Sequence, residues 1–155
     1  SVQLIYDTGQ SRWVVEASPG TSGSGTEVRA QAIYPFVIGS AGEVSSGAAT
    51  HTTFSAAQTA ASDGDRITWL RGTFVENITV SKQLKLDGLG HGSILDGTVT
   101  FANTADYSSL KDVKVTGTVT VNSGADGIVV RDIWLDTGET LVDNGSGNLL
   151  EAIVE

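Results

Sequence analysis

The chain has 155 residues, a formal net charge of −9, nineteen glycines and no cysteine or methionine. Hydrophobic residues at 39% against 17% charged suffice for a core, which excludes wholesale disorder. The nine Lys and Arg residues are scattered, leaving no basic stripe for phosphates, so nucleic-acid binding is not expected. The absence of cysteine rules out disulfides and thiolate metal sites. No apolar run approaches the ~20 residues that span a bilayer, and no signal-peptide pattern is present, so membrane insertion is not expected. The chain starts at Ser1 and ends shortly after Ile153 without a polar capping segment. It therefore reads as a processed or truncated piece of a longer chain.

Residues 1–17 read as a β-hairpin. Val2-Gln3-Leu4-Ile5-Tyr6 and Arg12-Trp13-Val14-Val15 flank the glycine-containing turn Asp7-Thr8-Gly9-Gln10-Ser11. One hairpin is marginal in water, and Leu4, Tyr6, Trp13 and Val15 have little nearby to cover them. Copies of the hairpin sharing one apolar axis would bury all four, which makes them the expected oligomer contacts. Continuation of a sheet from an upstream segment is the competing reading. Residues 18–51 read as a linker with short strands. Ser18-Pro19-Gly20-Thr21-Ser22-Gly23-Ser24-Gly25 is linker-like, and Pro35 makes any strand around Phe36 and Val37 an edge strand or a broken one.

From residue 52 the texture changes. Phe54, Ala57, Ala60 and Ala61 share one helical face, and Gly64 stands where a helix C-terminus takes left-handed geometry. Short strand patterns follow, among them Ile67-Thr68-Trp69-Leu70, Ile78-Thr79-Val80 and Leu84-Lys85-Leu86. A repeat of twenty residues then sets in. Leu95-Asp96-Gly97-Thr98-Val99-Thr100-Phe101 returns as Val115-Thr116-Gly117-Thr118-Val119-Thr120-Val121, and Leu110-Lys111-Asp112-Val113 returns as Val130-Arg131-Asp132-Ile133. A weaker third copy carries Leu141, Leu150 and Ile153. Such a period marks a solenoid, each repeat burying its apolar face against its neighbours. The expected fold is all-β: a parallel β-helix over 52–155, with coils of about twenty residues in three short sheets and a short capping helix at its N-terminal end.

Two resemblances add to this reading. Ala60-Ala61-Ser62-Asp63-Gly64-Asp65-Arg66-Ile67, Gly72-Thr73-Phe74-Val75-Glu76-Asn77 and Lys82-Gln83-Leu84-Lys85-Leu86-Asp87-Gly88 resemble the opening of right-handed parallel β-helices of the pectin-lyase-like type. That resemblance implies the fold and leaves function open, because lyases, hydrolases, esterases, adhesins and viral fibres share it. Leu4-Ile5-Tyr6-Asp7-Thr8-Gly9 with Arg12-Trp13-Val14-Val15 is similar to hairpins of bacteriophage tail-fibre and appendage proteins, which pack around a three-fold axis. Together they imply a trimeric neck leading into a β-helical shaft, as in phage tailspikes and fibres.

Residues at equivalent positions of successive coils stack about 4.8 Å apart. The period places Asp112 under Asp132, Asp106 under Asp126 and Lys111 under Arg131. Three readings of the carboxylates stand side by side. Asp112 and Asp132 are a candidate glycosidase pair. Asp106 and Asp126 are a candidate start of a cation shell. The third reading, which is favoured, makes each Asp a turn residue bonding backbone N–H groups two residues on, with Lys111 and Arg131 screening the like charges. His91, between Gly90 and Gly92, reads as a turn residue, and His51 has no evident partner. Trp134 alternates with Ile133 and Leu135, which turns it outward, where a glycan or a neighbouring subunit is the expected contact. No zinc spacing, phosphate loop or Ser–His–Asp order appears, so no cofactor is expected.

The sequence thus points to a non-catalytic structural component of a bacteriophage fibre or spike. It is expected to be a homotrimer in the virion appendage, meeting other virion proteins through its N-terminal side and host surface polysaccharide elsewhere. The alternatives are the front end of a polysaccharide-degrading β-helix enzyme and a bacterial surface adhesin.

Overall fold

Runs of Val, Ile and Thr broken every few residues by Gly, Asn or Asp form short strands rather than helices. The computed structural model describes strands 2–7 and 12–17 and every residue from 36 to 155. The chain divides into two units, residues 1–33 and 34–155. In the first, β1 (Val2–Asp7) and β2 (Arg12–Ala17) pair antiparallel, with Leu4 opposite Val15 and Tyr6 opposite Trp13. Register puts positions 4, 6, 13 and 15 on one face of the ribbon. The contacts expected of these four side chains, the turn 8–11 and the segment 18–35 lie outside the described residues.

The second unit is a parallel β-solenoid of about four turns. It opens with β3 (Phe36–Ile38), α1 (Ala41–Ser46) and α2 (Phe54–Ala60). The first coil holds β4 (Arg66–Trp69), β5 (Gly72–Val75) and β6 (Ile78–Val80). The second holds β7 (Lys85–Asp87), β8 (Ser93–Asp96) and β9 (Val99–Phe101). The third holds β10 (Ser109–Lys111), β11 (Lys114–Val115) and β12 (Val119–Val121). In the fourth, β13 (Val129–Leu135) runs along two faces before β14 (Leu141–Asp143), and β15 (Leu149–Val154) follows. All pairings within this unit are parallel.

Alternation sends every second side chain inward, where it stacks on its equivalent one coil away. Ile67, Leu86, Leu110 and Val130 form one column, in register from β4 to β13 and all fully buried. Leu95, Val115 and Leu135 form a second, and Val80, Phe101 and Val121 a third. The repeated glycine at the corner before the third face is explained by the stacking. A Cβ on Gly117 would come within 2.6 Å of the Gly97 carbonyl oxygen, so only Gly admits this approach of neighbouring coils.

The helix α2 closes the N-terminal end of the core. Thr53 caps it by accepting from Ala56 N–H, and Phe54 stacks on the buried Trp69 at 5.7 Å. The helix ends at Ala61 in extended geometry, not at the expected Gly64. Gly64 does have positive φ (+89°), but it serves the turn into the first coil. There Asp65 accepts Ser62 N–H at 2.7 Å and Gly64 N–H donates to Gln83 O at 2.7 Å. Residues 36–51 lie in the same unit as the coils. β3 extends the first sheet beside β4, and α1 carries a Ser40–Glu43 capping box and a left-handed Gly47 at its end. No helix among the described residues is long and apolar enough to cross a membrane.

Candidate functional site

The four stacked carboxylates serve the solenoid in two different ways. Asp112 and Asp132 sit at the corner between the first and second faces with φ of 55° and 54°. This left-handed geometry is one that Asp tolerates better than most side chains. Their carboxylates lie 3.9 Å from Lys111 Nζ and 3.7 Å from Arg131 Nε, and Asp112 N–H donates to Asp132 O at 3.1 Å. Asp106 and Asp126 form a ladder between coils: Asp106 Oδ1 accepts Asp126 N–H at 2.9 Å, and Asp126 Oδ1 accepts Ser146 N–H at 2.9 Å. The bond expected two residues on is therefore made twenty residues on, because the next coil offers its turn N–H at the same place. No group of three or more His, Asp or Glu residues suited to a metal ion occurs among the described residues.

A denser arrangement lies on the outer surface of the second face. Thr73, Ile94, Lys114, Trp134 and Ile153 follow one another in register across β5, β8, β11, β13 and β15. Trp134 points outward while Ile133 and Leu135 are buried, and it remains half-buried by its neighbours. The His91 ring, held in the 3₁₀ turn Gly90–Gly92, meets it edge-on at 5.5 Å. His91 Nε2 lies 2.8 Å from Glu155 Oε2, and the same oxygen is 3.3 Å from Lys114 Nζ. Lys114 also pairs with Asp136 at 2.8 Å. Its hydrogen bonds to Asp136 and Glu155 hold its pKa above the ordinary lysine value. The hydrogen bond from His91, aided by Lys114, holds Glu155 below the ordinary glutamate value.

The sequence reading located Trp134 and its one-coil neighbour Lys114, but not the set of groups around them. The signal for Lys114 and Asp136 is the period, which puts positions 114, 134 and 136 on one patch. His91 and Glu155 are 64 residues apart and come together only through a turn that departs from the repeat. Asp96 and Asp136 lie two coils apart, with Thr116 between them donating to Asp96 at 2.7 Å. His51 lies away from this patch, bonded to Thr50 Oγ1 at 2.9 Å and packed on Phe36.

A second charged group occupies the outer side of the first face. Asp87, 5% exposed, pairs with Arg66 and lies 3.6 Å from Lys111 Nζ. Its neutralisation by two cations is what permits a nearly buried carboxylate there. Comparison of the chain with family models, curated proteins and solved structures gave no match.

Proposed function

We propose that this chain is a rigid, non-catalytic segment of a bacteriophage fibre or spike, homotrimeric and exposed on the virion, with the solenoid as shaft and the hairpin as neck. The observation that carries the reading is the continuous ladder over a filled core. From β4 to β15 each rung is hydrogen-bonded to the next, and the inward columns are apolar. Such a rod is stiff without disulfides, as an attachment appendage requires. The stacked carboxylates favour the same reading, since Asp106 and Asp126 are engaged on backbone N–H groups and Asp112 and Asp132 hold corners. Neck contacts would join it to other virion proteins, and the shaft or a following segment would meet host polysaccharide.

The second reading is a polysaccharide-binding or polysaccharide-degrading β-helix, which the Trp134 patch favours: an aromatic face beside His, Lys and two carboxylates suits a sugar ring. Light scattering on the full chain separates the two when combined with a reducing-sugar assay on capsular polysaccharide. A mass near three times 16.0 kDa with no sugar release supports the fibre. A folded monomer overturns the trimeric neck and moves the second reading ahead. Sugar release that is lost in both Asp112→Asn and Asp132→Asn overturns the structural assignment of those carboxylates.

A further inference from the structure

In a solenoid each coil is held by its neighbours, so strands with a neighbour on one side only have the least support. At the N-terminal end β4 is covered by β3, and β6 is closed by one side chain of α2. Gln58 Nε2 donates to Thr79 O at 3.1 Å and Gln58 Oε1 accepts Ser81 N–H at 2.9 Å, so that amide imitates the strand that would otherwise lie there. At the other end β15 pairs with β13 alone among the described residues. What fastens it comes from the second coil.

The corner between the first and second faces is not of one length. Leu110 and Val115 are five positions apart, as are Val130 and Leu135, but Leu86 and Leu95 are nine apart, although each set stacks in register. The second coil therefore carries four extra residues there, around Gly88-Leu89-Gly90-His91. This insert is tied down along its length. Gly88 N–H donates to Lys111 O at 3.0 Å and Gly90 N–H to Asp112 O at 2.8 Å, both in the third coil. A Cβ on Gly88 would come within 2.3 Å of Asp112 O, so only glycine lets the insert leave its strand this close to the next coil. Its base is also joined to the first coil: the fully buried Ser93 accepts Leu89 N–H at 2.9 Å and donates to Leu70 O at 3.0 Å.

We propose that this insert is a latch that fastens the second-face half of β15 to the body of the solenoid through His91. Its tip passes beyond the adjacent coil. The His91 ring meets Trp134 of the fourth coil edge-on at 5.5 Å, and its Nε2 lies 2.8 Å from Glu155 Oε2 just past β15. An ionised carboxylate only accepts, so Nε2 carries the proton of that bond. From β8 to β15 the ladder runs through β11 and β13, and each of its steps joins adjacent coils. The His91–Glu155 bond spans all three steps at once. Trp134 walls the ring on one side and fixes its orientation, and Lys114 of the third coil shares the same Glu155 oxygen at 3.3 Å. The first-face half of β15, with Leu149 and Leu150 on Val129 and Val130, lies before the corner and outside the latch.

Native-state hydrogen exchange on the isotope-labelled full chain tests this. The Glu155 amide, which donates to Leu135 O at 2.9 Å, reports the latched half, and the Leu149 amide, which donates to Ile128 O at 2.8 Å, reports the other. His91→Ala should lower protection at position 155 about fivefold and leave position 149 within about twofold of the parent. Glu155→Ala, corrected for its intrinsic rate, should lower position 155 at least as much, because Lys114 loses its partner too. Adding His91→Ala to that variant should change nothing further, since the two side chains act through one bond. Unchanged protection at position 155 in His91→Ala overturns the proposal. So do equal losses at both positions, which would mean general loosening, and additive losses in the double variant, which would mean that His91 and Glu155 act separately.

Discussion

Truncating Leu110 to Ala tests whether the inward columns hold the coils together as described. Leu110 is fully buried between Leu86 and Val130, with a partner on both sides. The lost methylene-equivalents forfeit about 2.4 kcal/mol at ~0.8 kcal/mol each. A residual cavity of roughly 50 Å³ at ~24 cal/mol per Å³ adds about 1.2 kcal/mol, for a loss near 3.5 kcal/mol. In a chain of this size that corresponds to a fall in Tm of about 10 °C. Leu150→Ala removes the same atoms from the same column, but at a half-buried position. About 1 kcal/mol is expected there. Urea unfolding followed by far-UV circular dichroism measures both at constant m. Equal losses for the two variants, or a Leu110→Ala loss under about 1.5 kcal/mol, would refute the stacked-column account.

At the Asp132 corner the backbone, more than the carboxylate, sets the requirement. Asp132→Gly and Asp132→Asn should stay within about 0.5 kcal/mol of the parent. Asp132→Val should cost about 1–2 kcal/mol, as read by thermal melts. Gln58→Leu keeps the helix face but removes the amide that closes β6, so a loss of about 1–2 kcal/mol and faster aggregation on light scattering are expected. Glu155, held below its ordinary value by His91 and Lys114, contributes stability that is present above the unfolded-state pKa and fades as pH falls through the lower folded value. Lys114, held above its ordinary value, contributes stability that is lost at the alkaline end, as pH rises through its folded value. NMR titration of Glu155 in the parent and in Lys114→Gln should show its carboxyl moving up toward the ordinary value in the variant.

Much of the solenoid was legible because its rule is local and repeated. Gly97 and Gly117, Asp112 and Asp132, and the apolar positions of β9 and β12 recur at one spacing, and each recurrence maps to a backbone corner or an inward column. The end of α2 was not legible, because Gly64 fits a helix terminus and a coil corner equally well in sequence. Asp65 and the Gln83 carbonyl decide between them in space. The same holds for the Trp134 patch. Its lysine and tryptophan follow the period, but His91 reaches it through a 3₁₀ turn that no repeat contains, and Glu155 reaches it from another coil. The Thr79 carbonyl and the Ser81 N–H that engage the Gln58 amide lie 21 and 23 residues later, so its role as a surrogate strand leaves no local pattern.

The link from Asp106 to Asp126 to Ser146 joins like positions of three successive coils, which makes the length of the molecule adjustable in whole steps. Excising residues 107–126 would set Val130 on Leu86, Leu135 on Leu95 and Leu141 on Val99, each apolar on apolar. Arg131 would fall beside Asp87, where Lys111 now stands. Lineages of such chains can therefore grow or shrink by duplication or loss of one unit, each changing the rod by about 4.8 Å. Other length differences are taken up at the corners, as between Leu86 and Leu110, which are paired across 24 residues, and between Ile67 and Leu86, paired across 19.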